Sequence, residues 1–176
     1  LFHLPFFKLN KDYDYYMKGT FPIHKFRELR TPFYYYDTKV LRDTLSCIRT
    51  EAARYGNYSV HYPVKANANP KVLAIIRENG LGADCVSGGE IRAAIKAGFP
   101  TGKIVFAGVG KADWEINLGL DYDIFCFNVE SVPELEIINE LAAAKGKVAN
   151  VPIPMPILPL GWPKTSLVSA CRIWTM

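Results

Sequence analysis

At 176 residues, 49% of them hydrophobic and 22% charged, the chain has the composition of an ordinary globular domain. Its 21 basic and 17 acidic residues are spread evenly, with no basic run to track a phosphate backbone, which argues against nucleic acid as a partner. No apolar run reaches the roughly 20 residues of a membrane span. Cys47, Cys85, Cys126 and Cys171 lie far apart without C-x-x-C spacing, a pattern of neither zinc site nor disulfide framework that favours the reducing cytoplasm.

The opening "LFHLPFFKLNKDYDYY" is too charged and aromatic for a signal peptide. "FYYYD" (33–37) reads as a strand, followed by a helix in which Val40, Leu41, Leu45, Ile48 and Ala52 keep helical spacing. "SVHYPVKA" (59–66) reads as the next strand. Asn69 can cap the following helix with Pro70 at its first position, and Val72, Leu73, Ile75 and Ile76 form its buried face. "GADCVS", "KIVFAG" and "DIFCFN" then each lead into a helical stretch, the last opening with Ser131 and Glu134 in the S-x-x-E pattern of a capping box.

Strand starts near 59, 82, 103, 123 and 147 recur at near-regular intervals. That cadence predicts an α/β fold, the N-terminal part of a (β/α)8 TIM-type barrel, with an open Rossmann-type sheet as the competitor. A complete barrel takes about 250 residues in eight units, so the barrel is expected to be incomplete. Beyond residue 150 the rhythm stops, and five of the twelve prolines crowd into 152–163, where neither a central strand nor a helix would tolerate them.

If the side chains of 59–66 alternate, His61, Pro63 and Lys65 face one way, and Lys65 points into the barrel at the strand's carboxyl end, where barrel enzymes keep their active sites. A partly desolvated lysine there loses its proton readily and can form a Schiff base. The alternative is a strand-end lysine that extends its amine into water. Asp84, at the next strand end, has a loop-facing role as its plain reading, and Glu90 that of an acid at a helix start. The glycines of "VSGGE" and "AGVGK" suit tight turns, and neither stretch is a dinucleotide fingerprint.

"YPVKANANPKVLAIIRENG" resembles the cofactor-attachment segment of the fold-type III, alanine-racemase-like decarboxylases that depend on pyridoxal 5'-phosphate. "GADCVSGGEIRAAIKAGFP", "KIVFAGVGKAD" and "FNVESVPELEIINELA" are similar, in order and spacing, to the segments that follow it in that family. The wording "DCVSGGE" and "GVGKAD" is similar to the branch that acts on diaminopimelate. The resemblance implies decarboxylation of meso-2,6-diaminopimelate to L-lysine, a small amino-acid substrate, and pyridoxal 5'-phosphate held covalently by Lys65. It places Asp84 beside that lysine and gives Glu90 a supporting role. It also implies that 33–37 belongs to a separate β-domain, that the parent enzyme is a homodimer, and that parts of the site from later in the family's chain are missing here. Ornithine, arginine or carboxynorspermidine decarboxylases, or a non-catalytic barrel that only binds the cofactor, remain alternatives.

Residues 17–150 are therefore expected to form a partial cofactor-binding barrel domain. Met17 reads as the initiator, with 1–16 a non-native extension. Codons permitted for 154–176, read one nucleotide out of frame, allow a peptide resembling the family's next segment, so 151–176 reads as a frameshifted tail. The fragment is expected to be inactive.

Overall fold

The computed structural model describes residues 21–56 and 58–152. The expected extension over 1–16 and nearly all of the expected tail lie outside the described residues. The chain divides into two compact units, one ending at Thr50 and the other beginning at Glu51.

In the first unit the short helix α1, Ile23–Phe26, precedes an aromatic cluster in which Phe26 stacks edge-on against Tyr35 at 5.0 Å and packs on Phe33 at 5.3 Å. The strand expected over 33–37 does not form: these residues carry no ladder, because no described strand supplies the partner that an extended segment needs. Helix α2, Thr38–Ala53, starts where Asp37 Oδ1 accepts the N–H of Lys39 at 2.9 Å. Of its expected apolar face only Leu45 is buried, while Val40, Leu41, Ile48 and Ala52 are half-buried.

The second unit is a four-stranded parallel sheet with strands β1 (His61–Pro63), β2 (Gly82–Cys85), β3 (Ile104–Phe106) and β4 (Cys126–Phe127) in the order β1-β2-β3-β4. Helices α3 (Pro70–Glu78), α4 (Gly88–Lys96), α5 (Asp113–Asp121) and α6 (Val132–Ala144) follow the strands in alternation. Each strand lies beside the one before it. That is the progression of a barrel wall, whereas a Rossmann sheet reverses its order at the nucleotide crevice.

The capping signals act as the residues predict. Asn69 Oδ1 accepts the N–H of Lys71 at 2.9 Å, Pro70 opens α3, and Val72, Leu73, Ile75 and Ile76 are buried. Ser87 and Ser131 cap α4 and α6 by accepting the N–H groups of Glu90 and Glu134, each at 3.3 Å. Ile104, Val105 and Phe106 are fully buried, as expected of a parallel strand covered on both faces. Cys85 and Cys126, within strands, are buried and serve as small core residues.

The opposite edge of the sheet is tied by cations. Lys103 Nζ donates to Gly80 O at 2.9 Å, Arg77 Nη1 to Ala97 O at 2.9 Å, and Lys147 Nζ to Leu120 O at 2.6 Å. Each of these carbonyls lies at or just past a helix C-terminus, where positive charge complements the helix dipole. A fifth strand, expected from residue 147, is not developed, although Phe127 N–H donates to Asn150 O at 2.9 Å on the far side of β4.

Candidate active site

Lys65 does not lie within a strand. β1 ends at Pro63, and Val64–Ala66 form a single 3-10 turn that carries the lysine. Pro63 has no N–H to continue a ladder, so a strand can scarcely run through it. Lys65 is exposed, in keeping with the reading of a strand-end lysine that extends its amine into water. The turn is held by two successive asparagine turns: Asn67 Oδ1 accepts Asn69 N–H at 2.9 Å, and Asn69 Oδ1 accepts Lys71 N–H. Tyr62 Oη donates to Asn67 O at 3.3 Å and braces the same loop.

Asp84 lies on β2 opposite Pro63, two residues before Lys65. Its Oδ1 is buried without a hydrogen-bond partner. Burial pushes the Asp84 carboxyl above the usual carboxylate range, and the charges of His61 and Lys65 pull it back. Lys65 and Asp84 are thus electrostatic neighbours at the carboxyl ends of two adjacent strands. Burial likewise pushes the Cys85 thiol up, reinforced by Glu90 and Asp84, so it stays protonated.

Glu90 is half-buried at the start of α4, where its Oε2 accepts the N–H of Val86 at 3.0 Å. It closes the loop that follows β2, which is the helix-start role.

His61 shares this region. Its ring stacks on Phe125 with centroids 6.1 Å apart, and Nε2 lies 3.1 Å from Ser59 Oγ, while Nδ1 is buried without a partner. Desolvation lowers its pKa, against opposing contributions from the backbone of Ala83 and the Asp84 charge.

Two further groups were missed. The Lys111 side chain is fully buried and donates to Gly108 O and Asn128 O, both at 2.6 Å, and to Glu134 Oε1 at 2.8 Å. Its Nζ also stands 5.3 Å from the centre of the Phe106 ring. Glu115 accepts Ala112 N–H at 3.0 Å with one oxygen and Gly88 N–H at 2.7 Å with the other. The available sequence signal was a glutamate at the third helical position after each of β2, β3 and β4.

A parallel βα wall whose strands follow one another in order, with an exposed lysine and a carboxyl whose Oδ1 is buried and unpartnered near its carboxyl edge, has the form of part of a βα barrel. Residues 42–153 match the pyridoxal binding domain of the pyridoxal-dependent decarboxylases, and the chain belongs to that family. It is similar to diaminopimelate decarboxylase of Bacteroides thetaiotaomicron, with 81% identity over 135 residues, which are 77% of this chain and 35% of the relative. The enzyme of the same name from Aquifex aeolicus is 42% identical over 123 residues, covering 70% of this chain and 29% of the relative. The crystal structure of diaminopimelate decarboxylase from Helicobacter pylori complexed with L-lysine superposes with a TM-score of 0.69 at 38% identity, over 74% of this chain and 33% of that one. The chain therefore spans about a third of the length of the relatives it matches.

Proposed function

We propose that this chain is part of the cofactor-binding barrel of a decarboxylase that converts meso-2,6-diaminopimelate to L-lysine, with pyridoxal 5'-phosphate bound at Lys65. The observation that carries the reading is the placement of Lys65, on the turn just past the end of β1, beside the end of β2, where Asp84 faces Pro63 in register with its Oδ1 buried and unpartnered. The choice of substrate rests on the names of the relatives.

The residues present suit the cofactor. Lys65 is exposed on a braced turn, so an aldehyde can reach its amine, which would hold the group covalently. Asp84 keeps an acceptor oxygen free at Oδ1, where it can take a hydrogen bond or a proton from the bound group or from Lys65. Glu90 acts through the backbone, fixing Val86 and the end of β2 on which Asp84 sits. When bound, pyridoxal 5'-phosphate takes up the electron pair left by departing carbon dioxide, while the protein orients the substrate and stabilises charge.

In this reading residues 17–150 belong to the cofactor domain, and turnover and the homodimer are properties of the whole protein. The protein works in the cytoplasm, a setting that suits the free thiols of Cys47, Cys85 and Cys126.

The test is borohydride reduction after incubation with pyridoxal 5'-phosphate, followed by peptide mass spectrometry. A pyridoxyl label concentrated on Lys65 and lost in Lys65→Ala supports the reading, and a label spread evenly over the surface lysines overturns it. For the substrate, the whole protein encoded at the locus is offered meso-diaminopimelate, ornithine and arginine in parallel. Lysine release from the first alone is expected, and preference for either of the others refutes the assignment. The 176-residue chain by itself is expected to release no lysine.

A further inference from the structure

At three successive βα junctions the third residue of the helix is a glutamate that turns one carboxylate oxygen back on its own loop: Glu90 to Val86 N–H, Glu115 to Ala112 N–H, and Glu134 to Glu130 N–H at 2.7 Å. A helix start needs no more than that. Glu115 and Glu134, however, direct their second oxygen to the preceding loop, one to Gly88 N–H across 27 positions and the other to the buried Lys111 Nζ across 23. Gly88 can come this close because it has no side chain: a Cβ there would lie 2.6 Å from the Trp114 ring. Arg92 closes over the same ring at 4.9 Å.

We propose that Glu115 is a positioning residue for the site at Lys65, fastening the loop after β2 to the loop after β3, which the Lys111–Glu134 pair fastens in turn to the loop after β4. The fastened residue, Gly88, lies four positions beyond Asp84, so the loop leading away from the end of β2 is held by a hydrogen bond to a charged acceptor. Such bonds are stronger than neutral ones and keep their geometry when water reaches the loop. The link to Lys65 rests on the proposed cofactor role, but the fastening itself does not.

Glu115→Gln and Glu115→Ala are compared with the unaltered chain by amide hydrogen exchange and by borohydride trapping of pyridoxal 5'-phosphate. Losing an acceptor worth a charged hydrogen bond is expected to speed exchange of the Gly88 amide about tenfold in the Ala variant and less in the Gln variant. The amides of Ile104, Val105 and Phe106 keep their protection, and label at Lys65 falls in the same order as Gly88 protection. Unchanged exchange at Gly88, or full labelling of Lys65 despite faster exchange, overturns the proposal. Loss of protection spreading to β3 also overturns it, since Glu115 would then be a general stabiliser. If the unaltered chain takes no label at Lys65, the cofactor reading fails, and Gly88 exchange alone decides whether the loops are fastened.

Discussion

The imidazole of His61 lies directly across Gly82, so that a Cβ on that glycine would overlap Nδ1 and Cε1 of the ring. The two residues are register partners on β1 and β2, and Lys103 O crowds the same spot at 2.6 Å from the Cβ position. A methyl group there clashes both with the ring and with the backbone carbonyl of Lys103, so both have to give way. Gly82→Ala is expected to cost about 2 kcal/mol, in the range of overpacked cores. Gly102→Ala, where nothing lies within 4 Å of the Cβ position, is expected to stay within about 0.5 kcal/mol of the parent. Urea unfolding of the three chains checks both, and equal midpoints for Gly82→Ala and the parent would show that the ring and the carbonyl move aside freely.

Lys111 and Glu134 form an ion pair whose side chains are 0% and 11% exposed, bridging the loops after β3 and β4. Lys111→Met fills the space but leaves Glu134 short of its cation and two carbonyls without a donor. Breaking a buried pair from one side costs about 3 kcal/mol. Replacing both partners, as Lys111→Met with Glu134→Gln, is expected to recover part of that loss, because no uncompensated charge remains. A double-mutant cycle in urea measures the coupling, and strictly additive losses would contradict it.

Lys111 also shows why part of the site was not legible in the sequence. Both Lys65 and Lys111 follow strand ends, and the pattern drew attention to Lys65 alone, leaving open whether its amine is desolvated or extends into water. The structure distinguishes their exposure: Lys65 sits on an open turn because Pro63 ends the strand early, whereas Lys111 is enclosed by partners 3, 17 and 23 positions away. Local signals were readable because their physics is local. Asn69 with Pro70 and Ser131 with Glu134 form as their spacing predicts. Likewise the alternation of short apolar runs with helical stretches was enough to place four parallel strands in order. "FYYYD" has strand composition, but composition cannot provide the neighbour with which a strand must pair.

Acid is expected to weaken the second unit through His61. Its folded pKa is depressed by burial, so below the ordinary value of 6.5 the unfolded chain binds a proton that the folded chain resists. The stability associated with neutral His61 is complete above 6.5 and is lost as the pH falls through the window beneath it. His61→Gln removes the titration, so the slope of unfolding free energy between pH 7 and 5 should flatten. Parallel slopes for the two chains, read from urea midpoints at several pH values, would rule His61 out as the source.

Asp84 titrates with the opposite consequence. Its folded pKa is raised by burial, so the folded state favours the protonated carboxyl, and the associated stability is complete below the unfolded value of 3.8 and lost as pH rises through the folded pKa. At neutral pH, where His61 is uncharged, the ionised carboxylate is therefore a cost to the fold, with Oδ1 buried and unpartnered and the charge of Lys65 moderating it. Asp84→Asn removes that charge at nearly the same volume. The variant is expected to unfold at higher urea than the parent at pH 7 and at the same urea near pH 3, where both carry a neutral group. Under the proposed function the same variant takes less label at Lys65 when pyridoxal 5'-phosphate is trapped with borohydride, because the anion facing the amine is gone. A gain in stability with a loss of labelling is the signature of a residue kept for a bound group at the expense of the fold. A variant less stable than the parent at pH 7 would instead make Asp84 a structural acid and remove the main support for its place beside Lys65.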